Sequence, residues 1–190
     1  IHENVTSVSG VPTWTLVLFK RILEITGKSR MLDVWPNLEL YLHGGVSFTP
    51  YRQQFEQLIG GPIRYLEVYN ASEGFFAAQS HEDEDGMLLY LDHGIFYEFM
   101  PIEEYGTDNP QTVGLKDVVV GKNYAPVITT TGGLWRYLIG DTIQFTSTFP
   151  FRVKVSGRLK HFINAFGEEV IIENTDQAIA AACATTGAVV

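Results

Sequence analysis

Apolar positions at Trp14, Leu18, Ile22 and Ile25 keep a near-helical period and predict a helix over residues 12–26. Pro12 suits its first turn and Gly27 its C-terminal cap. Leu38–His43 reads as a short strand that ends at Gly44-Gly45. Thr49-Pro50 opens a second helix, with Phe55, Leu58 and Ile59 inward and Gly60-Gly61 behind it. Arg64–Tyr69 is the next strand, and strand, helix, strand is the pattern of a mostly parallel sheet.

The pattern then shortens. Phe75–Gln79, Met87–Leu91 and Ile95–Met100 read as strands, followed by Val118–Val120, Val127–Thr131, Asp141–Thr146 and Phe151–Ser156. The acidic run His81-Glu82-Asp83-Glu84-Asp85-Gly86 reads as a solvated hairpin loop, since it lacks the spacing of a calcium loop. Ile172–Ala182 is expected to be a final helix. The class is α/β, with an antiparallel later section.

Composition narrows the function. An apolar fraction of 45% supports a core, and the formal net charge of −9, with scattered basic residues, argues against a nucleic-acid partner. No apolar run approaches a membrane span, so no membrane partner is expected. Cys183 is the single cysteine, which excludes a disulfide framework and fits a reducing compartment. The ends, Ile1 and Val190, read as cuts in a longer protein.

Three segments carry chemistry. Tyr69-Asn70-Ala71-Ser72-Glu73-Gly74 places an aromatic ring, a hydroxyl and a carboxylate directly after a strand, where open α/β sheets bind ligands. A turn with a helix cap is the plainer reading. In Thr129-Thr130-Thr131-Gly132-Gly133-Leu134-Trp135-Arg136-Tyr137-Leu138-Ile139-Gly140-Asp141, a glycine precedes an aspartate that can accept both hydroxyls of a ribose. The plainer reading is a β-turn aspartate. Gly157-Arg158-Leu159-Lys160-His161-Phe162-Ile163 is either an exposed basic turn or the linker to a second lobe.

Together these segments resemble the adenylate-forming superfamily of acyl-CoA synthetases, peptide-synthetase adenylation domains and luciferases. Tyr69 to Glu73 looks like its aromatic-x-x-Ser/Thr-Glu motif, Gly140-Asp141 its ribose motif, and Gly157-Arg158-Leu159-Lys160 its hinge. Leu42-His43-Gly44-Gly45-Val46 resembles the Gly-Gly turn beside adenine. The stretch from Ile128 to Asp141 is more closely similar to the Tyr-Arg-x-Gly-Asp region of the auxin-responsive Gretchen Hagen family of acyl acid-amido synthetases. Leu138 and Asn174 depart from the plant pattern, which points to a bacterial-type member.

The resemblance implies the mixed sheet of the adenylate-forming fold, with residues 1–156 as the second half of the large lobe and 157–190 as the hinge and the start of the small lobe. It implies a cytoplasmic ligase that uses ATP and Mg²⁺ to adenylate a carboxylic acid and passes the acyl group to an amino acid. A thioester ligase or a non-catalytic nucleotide-binding protein on the same fold are the alternatives. Glu73, Ser72 and Lys160 are the implied catalytic residues: Glu73 on the metal, Ser72 on the α-phosphate, Lys160 as pivot. Tyr69, Gly44, Gly45, Tyr137, Asp141 and Arg158 are the implied nucleotide contacts, with Tyr69 stacked on or bordering adenine. Phe75, Phe76 and Tyr97 are expected around the acyl group. The family's Ser/Thr/Gly-rich phosphate loop is not in this sequence, so the chain alone is expected to be inactive.

Overall fold

The computed structural model describes residues 1–159, 163–165, 168–170 and 172–186. They form two compact units: Ile1–Val68 with the chain from Asp176 onward, and Tyr69–Thr175.

The first unit starts with β1 (Ser7–Gly10), α1 (Pro12–Thr26), β2 (Leu40–His43), α2 (Arg52–Ile59) and the first five residues of β3 (Arg64–Ala71). β1 pairs parallel with β2, and β2 with β3, so the strand, helix, strand expectation holds and one more strand precedes it. Gly27 caps α1 in the left-handed conformation at φ 65°. The inward face of α1 differs from the expected one. Thr15, Leu16, Phe19, Ile22 and Leu23 are buried, whereas Trp14 is 76% exposed and Leu18 and Ile25 are also exposed. The helix carries apolar residues on more than one side, and the set with i, i+1, i+4, i+7 and i+8 spacing from Thr15 is the one that packs. Phe19, Tyr41, Phe48, Phe55 and Tyr65 form its aromatic core, with Tyr41 stacked on Phe55 at 4.6 Å. The buried Tyr41 hydroxyl donates to the Gly10 carbonyl at 2.8 Å, which offsets its desolvation. Thr49 and Pro50 form a turn ahead of α2 rather than its first residues.

The second unit is antiparallel. It contains β4 (Gly74–Ala78), β5 (Met87–Leu89), β6 (Ile95–Pro101), β7 (Asn123–Thr130), β8 (Tyr137–Leu138), β9 (Asp141–Thr148) and β10 (Phe151–Arg158). Their order is β4-β5-β10-β9-β7-β6, and β8 pairs with β7. Phe76, Met87, Phe99, Tyr124, Ile128, Phe145 and Val153 fill the core. The acidic run joins β4 to β5, as expected of a hairpin. Glu84 does more than face water: it accepts from Arg152 at 2.6 Å and from the Ser80 hydroxyl.

Val118–Val120 is not a strand. The segment follows a 3₁₀ turn at Leu115–Asp117, only Val118 is buried, and the Val119 amide donates to the Tyr124 hydroxyl instead of a ladder partner. A β-branched run has strand propensity, but without a pairing partner it stays a loop. Two short strands, β11 (Ile163–Ala165) and β12 (Glu168–Val170), form an antiparallel ladder, and α3 (Ile172–Thr186) extends beyond its expected end.

Candidate functional site

Asp141 opens β9, directly after Gly140, whose φ of 90° suits a residue without a side chain. The Gly140 carbonyl accepts the Leu159 amide at 2.9 Å, tying the entry of β9 to the end of β10. Asp141 is 6% exposed, and a carboxylate so buried needs partners for its charge. It has two. The Tyr69 hydroxyl donates to Oδ2 at 3.1 Å, and Arg158 Nε lies 2.9 Å from Oδ1. The Arg158 side chain is 64% exposed, so the guanidinium covers the carboxylate from the solvent side. Each carboxylate oxygen has two acceptor positions, so Asp141 retains accepting capacity.

Tyr69 is buried against Phe76 at 4.9 Å, and its hydroxyl is pushed far above the ordinary tyrosine range, first by burial and then by the Asp141 charge. It therefore stays a donor. The expected stacking of Tyr69 on a base does not fit this placement, because its ring faces are in the core. Its link to a ligand runs through Asp141.

Glu73 follows at the turn from β3 to β4. The Tyr137 pKa is raised, first by hydrogen bonding to the Glu73 carboxylate and then by its charge. Glu73, Gly74 and Phe75 line an open cleft of about 430 Å³ with His93, Gly94, Ile95 and Thr130–Gly132. Phe75 stacks on Tyr90 at 5.6 Å, and His93 lies 4.5 Å beyond on the other ring contact of Tyr90. Of the expected acyl-contact residues, Phe75 lines this cleft, whereas Phe76 and Tyr97 are core residues. Ser72 is exposed beside Glu73. Mg²⁺ suits one or two carboxylates plus phosphate and water rather than a protein cage. Glu73 fits that role as a half-buried carboxylate at an open cleft.

Gly44 and Gly45 lie in the first unit, at the carboxyl end of β2. A Cβ on Gly44 would sit 2.3 Å from the Val68 carbonyl oxygen, so only glycine permits this approach to β3. His43, one residue earlier, is buried and stacked on Phe48 at 4.2 Å. Burial, with a smaller effect from Arg52, pushes its pKa down to about 4. Lys160, the expected pivot, lies outside the described residues.

Sequence comparison adds lineage to this geometry. The GH3 family N-terminal domain matches residues 1–63, and the GH3 family central domain matches residues 88–158. The chain belongs to the GH3 family. The indole-3-acetic acid-amido synthetase GH3.3 of Arabidopsis thaliana is 31% identical over 160 residues, covering 78% of this chain and 26% of that protein. The chain thus spans about a quarter of the length of this relative. The solved GH3.15 acyl acid amido synthetase superposes with a TM-score of 0.59 at 21% identity, over 82% of this chain and 29% of that one. A 2-hydroxyisobutyryl-CoA ligase in complex with 2-HIB-AMP and CoA superposes with a TM-score of 0.60 at 16% identity, over 88% of this chain and 39% of that one. The adenylate-forming fold expected from the motifs is therefore the fold of this GH3 chain.

The structure of the GH3 chain thus brings Tyr69, Asp141 and Arg158 together as one cluster and Glu73 and Tyr137 as a second. A third group was not singled out from the sequence. Arg136 makes a two-pronged pair with Glu98, Nε to Oε2 at 2.9 Å and NH2 to Oε1 at 3.0 Å. The lone carboxylate in the apolar strand Ile95–Met100 was the available signal, since an acid there calls for a cation. Among the described residues, no helix is long and apolar enough to cross a membrane.

Proposed function

We propose that this chain is the nucleotide-binding portion of an ATP-dependent acyl acid-amido synthetase. The observation that carries the reading is the Tyr69–Asp141–Arg158 cluster: a buried carboxylate at a strand start, held by a donor from the core and covered by an exposed arginine. A ribose diol is a matching ligand, since its two hydroxyls donate to the accepting capacity that Asp141 retains. In this reading Arg158 assists at the nucleotide and Ser72 contacts the α-phosphate. Residues 1–156 are then the second half of the large lobe, the hinge starts at residue 157, and Lys160 is its pivot on resemblance alone.

Glu73 is the residue to hold Mg²⁺, with Tyr137 fixing its carboxylate. Bound Mg²⁺ supplies charge neutralisation on the triphosphate. In the first half-reaction a substrate carboxylate oxygen bonds to the α-phosphorus as the bond to the bridging oxygen breaks, releasing pyrophosphate. In the second, the amino group of an amino acid bonds to the acyl carbon. The bond to the AMP oxygen breaks, and the ammonium proton passes to solvent. A buried, desolvated setting for Asp141 strengthens its hold on the nucleotide in both steps. Membership of the GH3 family supports amide over thioester formation, a choice that the fold leaves open because a CoA ligase shares it. A single cysteine and the use of ATP suit the cytoplasm.

The test is ATP–pyrophosphate exchange by the intact enzyme across a panel of carboxylic acids. The reading expects exchange that depends on the acid. Nucleotide binding with no exchange for any acid would favour a non-catalytic protein.

A further inference from the structure

Between β7 and β8 the chain turns back with one residue to spare. Ile128 faces Tyr137 in the ladder, and the next backbone bond runs from the Thr130 amide to the Leu134 carbonyl at 3.0 Å. Thr129 alone lies between these pairs on β7, whereas Trp135 and Arg136 lie between them on the return arm. This is a β-bulge, and Arg136 sits in it at φ 44°, the one non-glycine residue with positive φ among those described. A side chain is disfavoured in that left-handed conformation, which persists only where the surroundings over-determine it.

Here they do. The Arg136 amide, displaced from the ladder by the bulge, donates to Thr129 Oγ1 at 3.0 Å. Its guanidinium forks onto Glu98 of β6, Nε to Oε2 at 2.9 Å and Nη2 to Oε1 at 3.0 Å. The Thr112 hydroxyl donates to Glu98 Oε1 at 2.7 Å and so holds the carboxylate in turn. A two-residue β8 offers little ladder to hold the return arm, and the charge-assisted fork to β6 supplies that anchor.

The turn carried by this bulge is a wall of the cleft. Thr130, Thr131 and Gly132 line it together with Glu73, Phe75 and His93. The tip is shaped by its own bonds: the Gly133 amide to the Thr130 carbonyl at 3.1 Å, the Leu134 amide to Thr130 Oγ1 at 3.3 Å, and the Thr131 amide to the Gly94 carbonyl at 3.2 Å. In the adenylation proposed above, the acid brings its carboxylate to an α-phosphate held at Ser72 and Glu73. The body of the acid then lies along the other walls, against the half-exposed Phe75 ring and the Thr130–Gly132 turn.

We propose that Glu98 is a positioning residue: by holding Arg136 in the bulge it fixes the Thr130–Gly132 wall of the cleft, and with it which carboxylic acids the cleft accepts. Its effect on the acid rests on the adenylation proposed above, whereas the fixing of the wall does not.

Two readouts on the intact enzyme test this. One is hydrogen exchange at the Thr130, Gly133 and Leu134 amides; the other is KM and kcat in pyrophosphate release across the panel of acids. Glu98→Gln keeps the shape but takes the charge out of the fork. Arg136→Ala removes the fork and leaves a side chain in the left-handed position. Both are expected to speed hydrogen exchange at these amides at least about tenfold, with the β9 amides unchanged. Both should also raise KM for the preferred acid at least about threefold and narrow the differences among acids, with KM for ATP unmoved. Arg136→Gly removes the fork and the strain together, so it should do less than Arg136→Ala, and adding Glu98→Gln to it should change nothing further. If Glu98→Gln does not fold, Thr112→Val, which only frees the carboxylate, carries the same test with a smaller shift. Unchanged hydrogen exchange at the turn in folded Glu98→Gln and Arg136→Ala overturns the proposal. A loosened turn with unmoved KM and ranking of acids overturns its second half, while acid-dependent pyrophosphate release by the unaltered enzyme would keep the proposed function. An unaltered enzyme that releases no pyrophosphate with any acid sinks the proposed function, and the amide rates alone then decide whether Glu98 fixes the wall.

Discussion

The Tyr69 hydroxyl lies 3.1 Å from Asp141 Oδ2, joining residues 72 positions apart in sequence. This bond makes a core tyrosine the inner support of the carboxylate proposed to hold ribose. A hydrogen bond to a charged group contributes about 1.5–3 kcal/mol, and Tyr69→Phe removes it while keeping the ring packed on Phe76. The expected outcome is a stability loss of that order by chemical denaturation, together with a raised KM for ATP. Unchanged stability and unchanged KM would make the contact incidental.

Asp141→Ala removes the acceptor itself. Loss of a charge-assisted bond to the nucleotide corresponds to roughly 10- to 150-fold in kcat/KM for ATP. Arg158 also loses its partner at little cost, since its side chain is 64% exposed and remains hydrated, but the buried Tyr69 hydroxyl loses its acceptor, so a stability loss of about 1–3 kcal/mol accompanies the loss of affinity. A folded variant with normal ATP dependence would end the ribose assignment.

Much of this was legible in the chain. The parallel start followed from the strand, helix, strand order, because Gly44-Gly45 and Gly60-Gly61 punctuate the apolar runs. Asp141 was legible because glycine before an acid at a strand start is a local feature. What was not legible is set by distant pairing. Trp14 and Leu18 looked inward on α1 because a helix apolar on several sides does not say which side meets the sheet. Tyr69 looked like a stacking ring, since nothing local shows that Asp141 draws its hydroxyl inward. The Glu98–Arg136 clamp links β6 to the chain after β7, and no spacing along the sequence encodes that approach.

Glu73→Gln isolates the proposed metal role. The amide keeps the shape and can still meet the Tyr137 hydroxyl, but it lacks the charge that a hard cation selects. Pyrophosphate exchange should then need several-fold more Mg²⁺, with adenosine affinity nearly unchanged. An unaltered Mg²⁺ dependence would return Glu73 to a structural role.

His43 gives a pH signature. Its folded-state pKa of about 4 lies below the ordinary 6.5, so between these values the unfolded chain binds a proton that the native state refuses. Stability is therefore fully present above pH 6.5 and is lost as pH falls toward 4, by roughly 3 kcal/mol in all. His43→Phe keeps a ring on Phe48 and should abolish this contribution, flattening stability across that window. Urea unfolding of both proteins between those pH values measures it. Identical acid slopes would show that His43 is not buried neutral.

The most direct test is the fate of the activated acyl group. Intact enzyme is loaded with labelled acid and ATP in a single turnover, then chased with a mixture of amino acids and coenzyme A. The account predicts an acyl-adenylate that forms with release of pyrophosphate and is discharged to an amide, with little thioester, and an Asp141→Ala enzyme that accumulates far less adenylate. Discharge to coenzyme A, or no adenylate from any acid that the enzyme binds, would contradict it.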